Sequence, residues 1–227
     1  GNKASIIAGC YNHSNLITEL KFGIPSIGTM SHSYVQSFGV GIEAEYNSFS
    51  SFIAGRKEKN ASLILLVDTY SVKSGVKNAI KAFKNNGIDD NYKGLYGIRI
   101  DSGDLAYLSK YAKNEFIKAN LNKATITLTN GLNEELILSL KEQQAKVDFF
   151  GVGDTIAVSK SNPCFGGVYK ISEINNSPLI KLSEDSIKIS NPSFKKVIRF
   201  YMNNEACGDL IALMNGDSDL EVIEKQE

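Results

Sequence analysis

The sequence predicts an α/β fold: an incomplete, irregular α/β barrel of parallel strands, followed by a mostly antiparallel β tail that belongs to a second domain. Three observations lead there. Over the first two-thirds of the chain, short β-rich runs alternate with amphipathic stretches of helical length, the pattern of βα crossover units. One run, residues 63–67, is apolar at consecutive positions, as suits a strand covered on both faces. Beyond Ser159 the helical stretches stop, and turn-forming residues separate strand-like runs instead.

In chain order, residues 14–22 read as a helix and 24–28 as a strand. A helix over 40–52 leads to the strand at 63–67. The helix at 74–86 is stopped by Asn85-Asn86-Gly87. A strand at 97–100 precedes a helix at 105–119, where Leu105, Leu108, Ala112, Phe116 and Ala119 share one face. A strand at 124–128, a helix at 133–144 and a strand at 149–151 follow. These strands are too few to close an eight-stranded barrel, so the barrel is open or further strands lie outside the chain. In the tail, 167–174, 179–182, 197–202 and 206–213 are strand-like. Asn175-Asn176-Ser177-Pro178, Asn191-Pro192-Ser193 and Asn203-Asn204 supply the turns. The expected division is a catalytic α/β portion at 1–160, a β-rich portion at 161–216 and a loose polar end at 217–227.

Composition narrows the function. The chain has 227 residues, with 25 Lys+Arg against 25 Asp+Glu, so it carries no long-range field for nucleic acid or anionic lipid. Neither a nucleic-acid nor a membrane partner is expected, since no apolar run approaches the ~20 residues that cross a bilayer. At 42% hydrophobic residues a packed core is expected rather than global disorder. The 3 cysteines, Cys10, Cys164 and Cys207, have no CxxC spacing, so neither a disulfide framework nor a zinc site follows, and a reducing cytoplasm is the simpler setting. The chain starts at Gly1 without Met or a signal-like region, which points to a piece of something longer.

The chemistry is expected at the strand ends, which share one face in parallel α/β folds. Thr29 and His32 follow the first predicted strand, Asp68 the second, and Asp101 and Asp104 the third, which contains Arg99. Asn130 follows the fourth, and Gly151, Gly153, Asp154 and Thr155 the fifth. A carboxylate such as Asp68 would orient His32 and strengthen it as base or nucleophile. His13, in a polar loop, has no such partner in view. Helix capping would put Ser102 or Asp101 at the N-cap and Asp104 in the first turn, favourable to the helix dipole. Capping does not explain Arg99, two residues before Asp101 and therefore on the same side of its strand. Such a pair suits an anionic, hydroxyl-rich ligand, with or without Mg²⁺. Gly151-Val152-Gly153 ahead of a short helix is a candidate phosphate cradle.

The motifs Gly28-Thr29-Met30-Ser31-His32-Ser33, Leu65-Leu66-Val67-Asp68-Thr69-Tyr70, Ile98-Arg99-Ile100-Asp101-Ser102-Gly103-Asp104-Leu105, Phe150-Gly151-Val152-Gly153 and Gly166-Gly167-Val168-Tyr169-Lys170 occur in this order. Together they closely resemble the nicotinate phosphoribosyltransferase family, with a match running to about Leu213. The resemblance implies transfer of phosphoribosyl from phosphoribosyl pyrophosphate to nicotinate, giving nicotinate mononucleotide and pyrophosphate for NAD salvage. It implies Mg²⁺ on the pyrophosphate, and ATP hydrolysis coupled through a phosphohistidine at His32. Asp68 would assist, Arg99 and Asp101 would meet the pyridine ring and ribose, and Gly151 and Gly153 would hold the product phosphate. Ser14 and Asn15 match the family's Thr-Ser-Asn beside the nicotinate carboxylate, where His13 departs. No protein ligand is assigned to the metal. A cytoplasmic homodimer is implied for the full-length protein.

Departures are Tyr34 for a tryptophan, Ser71 for an acid, and Thr129-Asn130-Gly131 for Ser-Asn-Asp. The family's long N-terminal portion has no counterpart here, so strands of the β tail would lack partners and expose edges. The alternatives are a truncated, non-catalytic phosphate- or nucleotide-binding fragment and a nicotinamide-specific enzyme.

Overall fold

The computed structural model describes residues 2–157, 168–182 and 189–215. The chain divides into two compact units, one of Gly1–Lys170 with Lys181–Ile189, the other of Ile171–Ile180 with Ser190–Glu227.

The first unit is built on four parallel strands, β1 (Leu63–Leu66), β2 (Tyr96–Ile100), β3 (Thr125–Leu128) and β4 (Phe149–Phe150), hydrogen-bonded in that order. Leu66 pairs with Arg99, Ile100 with Leu128 and Leu128 with Phe150, so the strands finish side by side at one edge. Every residue of β1 is buried, which explains why it reads as an unbroken apolar run. The helices are α1 (Asn2–Ile7), α2 (Leu16–Phe22), α3 (His32–Gln36), α4 (Ile42–Ala54), α5 (Val72–Asn85), α6 (Leu105–Lys118), α7 (Glu134–Glu142) and α8 (Asp154–Ala157).

Local chemistry accounts for the helix positions. α5 buries Val72, Val76, Ala79, Ala82 and Phe83, a stripe at helical spacing. It also buries Gly75, where a Cβ would sit 2.1 Å from the Val67 carbonyl oxygen. Only glycine lets the helix lie this close to the backbone just past β1. Asn86 closes the helix and Gly87 leaves it at φ 72°. Asp104 caps α6 by accepting from Tyr107 N–H at 3.0 Å, and Asn133 caps α7 by accepting from Leu136 N–H at 2.8 Å. The core joins Phe49, Ile53, Leu65, Phe83, Ile98, Phe116 and Ile126.

The sheet is pinned at the end where its strands begin. Asp90 accepts from the Tyr96 hydroxyl at 2.6 Å, from Lys123 N–H at 2.9 Å and from Asn122 N–H at 3.1 Å. One carboxylate thus ties the start of β2 to the turn before β3.

Two expectations for this unit are corrected. Residues 24–28 form no strand: an isolated parallel bridge joins His13 and Ser26, and Pro25 withdraws the N–H that a ladder would need there. The N-cap of α6 is Asp104 and not Ser102 or Asp101. His32 opens the helix α3, because Ser31 caps that helix by accepting from Tyr34 N–H. α1 was not expected from the sequence.

The second unit contains two hairpins, β5 (Glu173–Ile174) with β6 (Ser177–Pro178) and β7 (Lys195–Met202) with β8 (Glu205–Leu213), both antiparallel. Each turns on a pair of asparagines in the left-handed region, Asn175 and Asn176 at φ 50° and 60°, Asn203 and Asn204 at φ 51° and 65°. Asparagine tolerates that region, and two such residues match the twist of the flanking strands. The longer hairpin carries a forked Arg199–Asp209 pair at 2.7 and 2.9 Å across the ladder, and it has a register shift between Phe200 and Tyr201.

The strand expected at 179–182 is not formed. The Asn175–Asn176 turn starts the return pairing at Ser177, and past Pro178 a single bond, Leu179 N–H to the Ser172 carbonyl at 2.9 Å, continues it. Of the strand expected at 167–174, only Glu173–Ile174 is formed among the described residues. Cys164, Gly166, Gly167 and residues 216–227 lie outside the described residues.

Candidate functional site

The residues just past β1, β2 and β3 converge where the sheet ends. His32, the first residue of α3, has Nδ1 3.1 Å from the Thr69 hydroxyl and Nε2 3.9 Å from Asp68 Oδ1. Asp68 is buried, and its other oxygen accepts from the Ser102 hydroxyl at 2.6 Å. Beside them Arg99 donates from Nη2 to Asp101 Oδ1 at 2.9 Å and from Nε to Thr129 Oγ1 at 2.9 Å. The Thr129 hydroxyl in turn donates to Asp101. Arg99 and Asp101 share a side because they are two residues apart at the end of β2. Thr29, Met30, His32, Arg99, Asp101 and Lys170 line a hollow of about 330 Å³.

Electrostatics set the state of His32. Burial is the main cause holding its pKa below the usual imidazole value, and the charges of Lys181 and Arg99 push the same way. Asp68 and Asp101 oppose them. The ring is therefore biased toward the neutral form, with a lone pair available for a nucleophile's or base's work. A second buried acid, Glu45, is fully enclosed and accepts from Asn78 Nδ2 at 2.8 Å. Burial pushes the Glu45 carboxyl up to about 7.

Among the described residues, His32, Asp68 and Asp101 form the group able to hold a metal ion, with one ligand atom of each within 4.8 Å of the others. Asp68 Oδ1 is buried and has no hydrogen-bond donor. A buried carboxylate oxygen left this way is costly without a cation nearby. Two carboxylates are the donors a hard divalent cation prefers, so the residues present fit Mg²⁺.

The other residues singled out from sequence are placed elsewhere or serve structure. Asp104 and Asn130 border a second hollow of about 240 Å³ with Leu132, Leu136 and Leu140, while the Asp104 side chain caps α6. Ser14 is exposed, and Asn15 caps α2 by accepting from Thr18 N–H at 3.1 Å. Neither lines the larger hollow. His13 is engaged locally, its Nε2 2.9 Å from the Ile24 carbonyl and its Nδ1 accepting from Asn15 N–H at 3.2 Å. Gly151 lies against Thr129, since a Cβ there would meet Thr129 Cγ2 at 2.6 Å. Gly153 is exposed, with nothing within 4 Å of a Cβ built on it. Asp154 opens α8, and the Thr155 hydroxyl donates to the Leu132 carbonyl at 2.6 Å.

Sequence reasoning missed the hydroxyls that hold these charges, Thr69, Ser102 and Thr129. Each directly follows a strand-end residue or its acid, Asp68-Thr69, Asp101-Ser102 and Leu128-Thr129, and that adjacency is the signal that would have found them. Buried Lys181 carries no local signal.

Comparison with known proteins gives a consistent likeness. Residues 5–206 match the model of the nicotinate phosphoribosyltransferase (NAPRTase) family. A nicotinate phosphoribosyltransferase of Bacillus subtilis is 36% identical over 220 residues, 94% of this chain and 43% of that protein. Nicotinate phosphoribosyltransferase 2 of Arabidopsis thaliana is 33% identical, over 96% of this chain and 47% of that protein. The chain thus spans less than half the length of these relatives. In fold, it resembles the crystal structure of nicotinate phosphoribosyltransferase from Vibrio cholerae, with a TM-score of 0.63 at 18% identity over 83% of this chain and 46% of that one. No helix among the described residues is long and apolar enough to cross a membrane.

Proposed function

The chain belongs to the nicotinate phosphoribosyltransferase family, and from that premise we propose that it carries the reacting rim of an enzyme of NAD salvage. The reaction is transfer of the phosphoribosyl group of phosphoribosyl pyrophosphate to nicotinate, giving nicotinate mononucleotide and pyrophosphate. The observation that supports this best is the meeting of a desolvated His32 with Asp68 and the Arg99–Asp101 pair. The sheet then forms one arc of an α/β barrel.

At the anomeric carbon the bond to pyrophosphate breaks as the pyridine nitrogen bonds, through an oxocarbenium-like state as in glycoside cleavage. Arg99 lies against the pyridine ring, and Asp101 meets the ribose hydroxyls. Positioning of the ring nitrogen supplies most of what the protein contributes to bond formation. Neutral His32 accepts the γ-phosphoryl of ATP on a ring nitrogen, with ADP leaving, and Asp68 steadies the charged phosphoimidazole. Hydrolysis of that phosphohistidine couples ATP to product formation. Asp68 and Asp101 would hold Mg²⁺, which supplies neutralising charge to the departing pyrophosphate. The backbone at Gly151 and Gly153 receives the 5′-phosphate, with Asp154 and Thr155 flanking it. Thr29, Asp104 and Asn130 border the sugar and phosphates, and Ser14 with Asn15 meets the nicotinate carboxylate. The working enzyme is a cytoplasmic homodimer.

The test is turnover of nicotinate, nicotinamide and quinolinate against phosphoribosyl pyrophosphate, with and without ATP, by the protein expressed from its full reading frame. Nicotinate is expected to be the substrate, with turnover raised by ATP. His32→Ala is expected to abolish the ATP stimulation while basal transfer survives. Equal loss of both activities would remove the phosphoryl relay, and absence of nicotinate turnover would remove the assignment.

A further inference from the structure

We propose that Thr129 is a positioning residue which locks the Arg99–Asp101 pair and couples it to the Gly151 turn, an inference that rests on the phosphoribosyl-transfer reading. The backbone puts Thr129 at the junction of three strand ends. Its N–H bonds to the Ile100 carbonyl at 3.0 Å, carrying the β2–β3 ladder one residue past β3. Gly151 N–H bonds to the Leu128 carbonyl at 2.9 Å, carrying the β3–β4 ladder past β4.

The two branches of the side chain then do different things. The hydroxyl accepts from Arg99 Nε at 2.9 Å and donates to Asp101 Oδ1. Its direction is forced: a guanidinium cannot accept and an ionised carboxylate cannot donate. Arg99 is consequently held at two points, Nε on Thr129 and Nη2 on Asp101, which fixes the plane of its guanidinium. The methyl occupies the space beneath Gly151, 2.6 Å from where a Cβ on that residue would lie. With that methyl in place, position 151 has no room for a Cβ. One β-branched side chain therefore sets the polar pair with one branch and the proposed phosphate turn with the other.

The branches separate by substitution. Thr129→Val keeps the shape and loses the hydroxyl; Thr129→Ser keeps the hydroxyl and loses the methyl. In the protein expressed from its full reading frame, Thr129→Val is expected to lower kcat/KM for nicotinate about tenfold, the scale of a lost charge-assisted hydrogen bond. Its KM for phosphoribosyl pyrophosphate should rise with it, because the same hydroxyl holds Asp101, which meets the ribose. Thr129→Ser is expected to keep kcat/KM for nicotinate and to raise only the KM for phosphoribosyl pyrophosphate, about threefold, the scale of one lost methyl contact.

A readout independent of turnover follows the Arg99 Nε–H by nitrogen-15 NMR, its resonance identified by its loss in Arg99→Lys. Slow solvent exchange is expected in wild type and Thr129→Ser and fast exchange in Thr129→Val. Retained protection in Thr129→Val overturns the lock. Parallel changes in both KM values for both variants, with lowered melting temperatures, overturn the division between branches. Should the wild type fail to turn over nicotinate, the functional assignment falls while the exchange comparison still decides whether Thr129 holds Arg99.

Discussion

The Ser102 hydroxyl donates to Asp68 Oδ2 at 2.6 Å, joining the loop after β2 to the loop after β1. With that oxygen engaged, the carboxylate is held so that Oδ1 faces His32 Nε2. Ser102→Ala would leave both oxygens of a buried carboxylate without a donor, a loss of about 1–3 kcal/mol. Urea denaturation is expected to show that loss, accompanied by weakened ATP stimulation of turnover. A variant as stable as wild type would mean that the hydroxyl does not steady Asp68.

Glu45 predicts a pH-dependent stability. Its pKa stands at about 7 in the fold against an ordinary 4.5, because burial disfavours the anion. Between those values the unfolded chain ionises first, so stability contributed by the neutral carboxyl is full at low pH and is lost as pH rises through the folded pKa. Glu45→Gln removes the ionisation. It is expected to be nearly neutral near pH 4.5 and stabilising by up to about 3 kcal/mol near pH 8. Denaturation at both pH values reads the difference, and an identical effect at the two would contradict it.

Asp90 has the opposite sign. Hydrogen bonds from Tyr96 and the Lys123 N–H hold its carboxyl at about 2, below the ordinary 3.8. The stabilisation is complete above the ordinary value and is lost as pH falls toward 2. Asp90→Asn is expected to lower the melting temperature at neutral pH, with the gap to wild type closing in acid. A gap that persists below the folded pKa would assign the effect to shape rather than charge.

Two glycines separate packing from ligand approach. Gly75→Ala forces a methyl against the Val67 carbonyl and is expected to destabilise by about 1–3 kcal/mol, overriding alanine's higher helix propensity. Gly153→Ala meets no protein atom within 4 Å, so its melting temperature should match wild type. Its KM for phosphoribosyl pyrophosphate should rise if the backbone there receives a phosphate. Melting curves and substrate titrations check both.

Most of the α/β half was legible because its signals are local. β1 shows as a consecutive apolar run, α6 as one apolar face, and α5 by its Asn86–Gly87 stop, each within a residue or two of the observed limits. The 24–28 strand failed because Pro25 withholds the N–H that a ladder would need there. The short helices α1 and α3 are below the length at which periodicity speaks. In the site, charged residues were visible because parallel strands end together. The hydroxyls of Thr69, Ser102 and Thr129 stand next to strand ends or their acids in sequence, but which charge each one holds is set by contacts between strands that no spacing in one segment encodes.

The anchoring carboxylate of Asp90 sits where the strands start and the reacting groups sit where they finish. A strand the length of β2 puts roughly 15 Å between them, beyond the range over which substitutions usually influence one another. Scaffold and chemistry are therefore separately adjustable: a lineage could rewrite what the rim accepts without renegotiating what keeps the sheet in register.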